Sequence, residues 1–169
     1  MPVFTKYFMR FVAVGMASFH VYTSYAGTFY PYVQRSVPVM LSLILTFLMI
    51  RASKNTPKDA PVPYYDWILV ALTIPTIGYI TFNSDYLANR WPMTPTFAVT
   101  TVELLLGIMT MLLILEATRR LLGWLLVIVA SVALLYTYYG EYSPILILQH
   151  RGYTLEHMLD YMYLTDNGI

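Results

Sequence analysis

The chain has 169 residues, of which 58% are hydrophobic, 16% aromatic and only 11% charged, with a formal net charge of +1. A soluble domain carries about twice that share of charged residues, so the composition describes a polytopic membrane protein and offers no basic surface for nucleic acid. The absence of cysteine excludes disulfides, thiolate-bound metals and thiol nucleophiles.

Lys6 and Arg10 precede an apolar run that ends at Ala26, the first expected span. Ser24-Tyr25-Ala26 has the small-x-small form of a signal-peptide cleavage site, but His20 interrupts the apolar core that such a peptide needs. A short aromatic loop with Pro31 leads to the second expected span, Ser36 to Ile50, bracketed by Arg35 and Arg51. About 15 residues is short for a bilayer, so both arginines are expected to reach toward the headgroups. Pro38 would then sit in a first helical turn, where a missing N–H costs little.

Lys54, Lys58 and three prolines make the following segment a polar linker. Tyr64-Tyr65-Asp66-Trp67 opens the third span, which runs to Phe82, and Pro75 with Gly78 predicts a kink. Asn83 to Thr96 reads as an exposed loop containing Arg90. Phe97–Leu115 and Leu121–Tyr139 are two apolar runs of about 19 residues, each about 28 Å as helix and close to the roughly 30 Å hydrocarbon thickness. Between them lies one charged knot, Glu116-Ala117-Thr118-Arg119-Arg120, in which Glu116 and Arg120 have the i, i+4 spacing of an interfacial ion pair.

Beyond Tyr139 the pattern changes. Tyr142 to Gln149 is a short apolar piece. Thr154 then reads as an N-cap for a helix with Leu155, Met158, Leu159, Met162 and Tyr163 on one face and Glu156, His157, Asp160 and Tyr161 on the other. Asn167-Gly168 is a stop signal. This amphipathic helix is too short to span, and its polar face is not basic, which favours a protein partner over a lipid surface.

The fold class expected is therefore an all-α polytopic membrane helical bundle, with five transmembrane helices and a C-terminal amphipathic helix. Lys6, Arg10, Arg51, Lys54, Lys58, Arg119 and Arg120 fall on one side and Arg35, Arg90 and Arg151 on the other, which places the N-terminus in the cytoplasm and the C-terminus outside. Sixteen tyrosines suit two broad interfacial belts.

Two ionisable residues lie within expected spans, His20 and Glu103. Glu103 shares a helical face with Thr96, Thr100, Gly107 and Thr110; His20 shares one with Ala13, Ala17, Ser24 and Gly27. An intramembrane acid can serve a proton or ion relay, but an internally satisfied packing contact is the simpler reading. Both residues sit about six positions, roughly 9 Å, from the same side of the membrane, so they are expected to face one another. The three histidines lie at unmatched depths for a haem, and no phosphate loop, nucleophile elbow or metal-spaced cluster occurs; neither an enzyme nor a cofactor in this chain is expected.

Val21-Tyr22-Thr23, Tyr64-Tyr65-Asp66-Trp67, Leu115-Glu116-Ala117-Thr118-Arg119-Arg120 with Gly123-Trp124, and His150-Arg151-Gly152-Tyr153-Thr154-Leu155-Glu156 together resemble the N-terminal part of TRAP (tripartite ATP-independent periplasmic) transporter permeases, best the fused 4TM/12TM permeases of the TAXI branch. The resemblance implies a four-helix small membrane subunit over residues 1–120. Residues 121–169 would be a fifth transmembrane helix and an interfacial arm on the periplasmic side of a bacterial inner membrane. It further implies a large elevator subunit as partner, carrying the sodium and substrate sites, and a periplasmic binding protein that delivers an organic acid. Fused permeases continue into further spans past the position of Ile169, so no sodium or substrate residue is carried over onto this chain; the expectation is a split gene or a fragment. Arg90, Arg151, Tyr153, Leu155, Met158 and Met162 are the expected partner-interface residues. The spans show no internal repeat and only one Pro-Gly interruption, which fits a fixed brace better than a moving carrier. An anchor or assembly subunit of another membrane complex, and an intramembrane enzyme using Glu103 and His20, are the competing readings.

Overall fold

A computed structural model describes residues 3–52, 61–90, 98–142, 149–165 and 168. The expectations for Lys54 and Lys58, for Thr96 and the start of the Phe97 run, for most of the Tyr142–Gln149 piece and for Asn167 lie outside these residues. No strand occurs among the described residues, and helix follows helix: α1 (Val3–Ala26), α2 (Pro31–Met49), α3 (Tyr64–Phe82), the short α4 (Ser84–Ala88), α5 (Thr101–Leu122), α6 (Trp124–Tyr139) and α7 (Leu155–Leu159). A 3₁₀ turn, Gly140–Tyr142, extends α6, and α7 runs directly into a π turn over Asp160–Leu164.

Among the described residues, four helical stretches are long and apolar enough to cross a membrane: Pro31–Met49, Tyr64–Phe82, Thr101–Leu122 and Trp124–Tyr142. The 24-residue α1 is long enough but carries Lys6, Arg10 and His20 with several hydroxyl residues, and is more polar than the other four.

Helix boundaries follow local chemistry. Pro31 occupies the first turn of α2, where its fixed φ helps and its absent N–H is not missed. The helix therefore starts five residues before Ser36 and is 19 residues long, so it is not a short span, and Pro38 lies in its interior. The turn between α5 and α6 falls at Gly123, whose φ of +87° suits glycine, and not at the charged knot, which forms the last turns of α5.

The helices run alternately up and down. Phe4 and Phe8 of α1 stack on Trp67 at the start of α3, 6.5 and 5.9 Å between ring centres, while Arg120 near the end of α5 bonds the carbonyl of Ile50 just past α2. Lys6, Arg51, Asp66, Arg119 and Arg120 thus share one end of the bundle. The core lies between α2, α3 and α5, around Leu43, Ile44, Phe47, Leu48, Val70, Ile77, Leu113 and Ala117. Because lipid is as apolar as these side chains, association depends on close packing and on hydrogen bonds such as Ser36 Oγ to Thr81 Oγ1 at 2.8 Å between α2 and α3. Helix α6 stands apart: it packs chiefly on α5 and none of its residues is buried.

Candidate functional site: two ionic clusters and a folded-back tail

At the end that gathers Arg51 and Arg120, the chain buries a charge network. Asp66, in the first turn of α3, has 0% side-chain exposure; Arg120 of α5, at 1%, places Nη1 2.7 Å from its Oδ1, and Arg51 places Nη1 3.9 Å from Oδ2. The carboxylate is compensated by these two guanidinium charges more than by aligned N–H bonds, because neither oxygen meets hydrogen-bond geometry. Glu116 Oε1 accepts from Arg120 Nε at 2.8 Å, and Arg119 grips the same carboxylate with Nε and Nη2 at 2.7 and 2.8 Å. Glu116–Arg120 is therefore one edge of a network joining α2, α3 and α5. Asp66 at a helix start and the arginines at a helix end each sit where the backbone dipole favours their charge. Asp66 and Arg51 were missed as members. The available signal was the acid placed three residues after Pro63.

At the opposite end, Glu103 is 1% exposed and its surroundings differ from expectation. Thr100 is the N-cap of α5: its Oγ1 accepts from Glu103 N at 3.3 Å, and Glu103 Oε2 accepts from Thr100 N at 2.8 Å, closing a capping box. Thr100 Oγ1 also lies 2.8 Å from Oε2, and Tyr79 of α3 donates to Oε1 at 3.1 Å. Glu103 thus lies in the first turn of α5, not six residues inside a span. The Thr-x-x-Glu spacing ahead of an apolar run was the signal for it.

No hydrogen bond or ion pair joins His20 and Glu103 among the described residues. Both oxygens of Glu103 are engaged by Thr100 and Tyr79, whereas His20 is exposed on α1, which packs on α2, and meets the ring of Phe19 edge-on at 5.9 Å.

The tail is the larger correction. It folds back onto its own chain, so Arg90 and Met158 are not free for a partner. Arg90 Nη2 lies 3.0 Å from Asp160 Oδ1, each side chain 2% exposed. Met158, Leu159, Tyr163 and Leu164 are buried, and a Cβ on Gly107 of α5 would come within 3.2 Å of both Leu159 and Tyr163, so glycine permits the approach. Tyr163 donates its phenol to the Thr76 carbonyl of α3, and the Tyr32 hydroxyl lies 3.3 Å from the carbonyl oxygens of both Leu87 and Leu164. Burial pushes the Tyr163 phenol above its ordinary pKa. The helical pattern placed Asp160 on the polar face, but Asp160 is buried against Arg90 while Leu155 and Met162 of the expected apolar face are exposed, so the buried face is shifted around the helix. Arg151, Tyr153, Leu155 and Met162 remain exposed.

The Asp66 network and the Arg90–Asp160 pair neutralise charge inside the chain and hold its parts together, and Glu103 is held by hydrogen bonds from Thr100 and Tyr79. Among the described residues, no group of three histidine, aspartate or glutamate side chains converges on a metal-sized point. Comparison with family models, curated proteins and solved structures gives no match for this chain.

Proposed function

We propose that this chain is the small, non-moving membrane subunit of a TRAP-type secondary transporter, bracing a large elevator subunit and helping to dock a periplasmic solute-binding protein for sodium-driven uptake of an organic acid. In this reading α1 is the first of five spans, with the N-terminus cytoplasmic and the C-terminus periplasmic in a bacterial inner membrane. One observation carries the brace reading: the buried charges Asp66, Arg120, Arg90, Asp160 and Glu103 all have partners on other parts of the same chain. Groups that serve an ion pathway must exchange partners during a cycle, whereas these close the bundle. The exposed apolar length of α6 is free to meet the large subunit or membrane lipid, and Arg151, Tyr153, Leu155 and Met162 remain available on the outer end.

Affinity purification from the native membrane tests this reading. A TRAP brace brings down a large permease chain and recruits a binding protein, and by itself moves no solute in proteoliposomes. Solute flux from the purified chain alone overturns it. Recovery with a different membrane assembly assigns it instead as an anchor or assembly subunit there.

A further inference from the structure

A trough opens between α5 and α6 and continues beneath the tail. Its inner part, about 410 Å³, is bounded by Gly107, Ile114, Ala130, Ala133, Leu134 and Tyr163, and is almost entirely apolar. That volume lies within the roughly 300–1,000 Å³ of ordinary ligand clefts. Thr137 and Met162 line both this part and the next one outward, where Tyr153 and His157 join them. Tyr153 in turn belongs to a polar mouth of about 410 Å³ that includes Tyr138, Glu141, Arg151 and Thr154. These neighbouring cavities, which share Thr137, Met162 and Tyr153 in their walls, thus lie in series from the α5–α6 pair toward the end of α6, and their lining changes from apolar to charged along the series.

The mouth is a built feature. Gly140 lets the His150 ring occupy the place a Cβ would take, and that ring meets Tyr136 edge-on at 4.8 Å. His150 N bonds the Gly140 carbonyl at 3.2 Å and Tyr153 N bonds the Thr137 carbonyl at 3.1 Å, so the backbone on both sides of Arg151 is pinned to the end of α6. Gly152, at φ +71°, turns the chain between them, and a Cβ there would lie 3.1 Å from the Tyr138 carbonyl. Arg151 and Glu141 are both exposed in this mouth, and neither forms an ion pair among the described residues.

An apolar channel ending in one cation and one anion matches an amphiphile with a chain at one end and both charges at the other. We propose that the trough holds a zwitterionic aminophospholipid. Its acyl chain lies between α5 and α6, its phosphate pairs with the Arg151 guanidinium, and its ammonium pairs with Glu141. Guanidinium is well suited to phosphate through paired N–H donors, and Glu141 disfavours a purely anionic headgroup. This assignment does not depend on which complex the chain serves.

The test is lipid analysis of the full chain extracted in mild detergent, by native mass spectrometry and headgroup quantitation. Wild type retains one phospholipid per chain, with phosphatidylethanolamine enriched over phosphatidylglycerol relative to the parent membrane. Arg151→Ala lowers retention about tenfold, the loss of one charge-assisted contact. Glu141→Gln keeps the lipid but returns the headgroup ratio to that of the membrane. Both positions are exposed, so these variants keep the fold intact. Wild type that retains no lipid, or only the membrane's own mixture, overturns the proposal, as does retention unchanged in Arg151→Ala. Lipid-free protein in which Ala133→Cys crosslinks to a copurifying chain assigns the trough to a partner helix and also overturns it.

Discussion

Arg90 and Asp160 meet at 3.0 Å with both side chains almost wholly buried, and this contact fastens the tail to the segment that follows α3. Removing one partner leaves an uncompensated buried charge, at a cost of about 3–5 kcal/mol, whereas replacing both by apolar residues of similar size is often near neutral. Asp160→Leu alone is therefore expected to release residues after Gln149 to limited proteolysis, and adding Arg90→Met to restore protection. Equal protection in wild type and the single variant would refute the role assigned to this pair.

At the opposite end, Arg120→Met leaves buried Asp66 facing only Arg51 at 3.9 Å. A loss of about 3–5 kcal/mol is expected, with much of it recovered when Asp66→Asn is added. The measurement is a double-mutant cycle of thermal stability in detergent; additive losses would mean that the two residues do not act together.

Gly107 sets how closely the tail approaches α5. Gly107→Ala brings a methyl to 3.2 Å from Leu159 and Tyr163 and is expected to cost about 1–3 kcal/mol through overpacking. Gly107→Leu should displace the tail altogether, seen as release of the residues after Gln149 to limited proteolysis. Protection that persists in Gly107→Leu would show that the tail docks elsewhere.

Glu103 acts in a capping box, so Thr100→Ala and Glu103→Ala should each destabilise by about 0.5–2 kcal/mol and Thr100→Ser should restore most of the loss. A relay predicts a different pattern. Glu103→Gln would then abolish uptake by the assembled complex without lowering stability.

Tyr163 gives the tail a high-pH limit. Its phenol is held neutral in the folded state, above the ordinary value of 10.0. Its contribution is complete below pH 10 and is lost as pH rises toward the folded pKa, because the unfolded chain ionises first. Unfolding followed from pH 8 to 12 should show this decline, and Tyr163→Phe should remove it while costing about 1 kcal/mol for the bond to the Thr76 carbonyl.

Much of the bundle could be read from the chain because each long helix is written as an apolar run of about bilayer length. Local chemistry set the boundaries and was partly overlooked: Pro31 starts α2 early, Gly123 places the turn past the arginines, and Thr100 with Glu103 opens α5. The tail was misread for a different reason. A 3.6-residue periodicity places Asp160 with the polar residues, and its burial depends on Arg90, about 70 residues earlier in the chain, which periodicity does not reveal. Asp66 escaped notice because its partners Arg51 and Arg120 come from distant parts of the chain. Its place three residues after Pro63 marks a helix start but does not show that tertiary packing buries the acid.

The clasp between Arg90 and Asp160 also orders biogenesis. Everything from α5 through α7 must leave the ribosome after Arg90 before its acid exists, roughly 4–14 s at ordinary elongation rates. If α5 and α6 both cross a bilayer, the pair can close only once both helices are threaded, since a chain with one of them left outside would hold Arg90 and Asp160 on opposite faces.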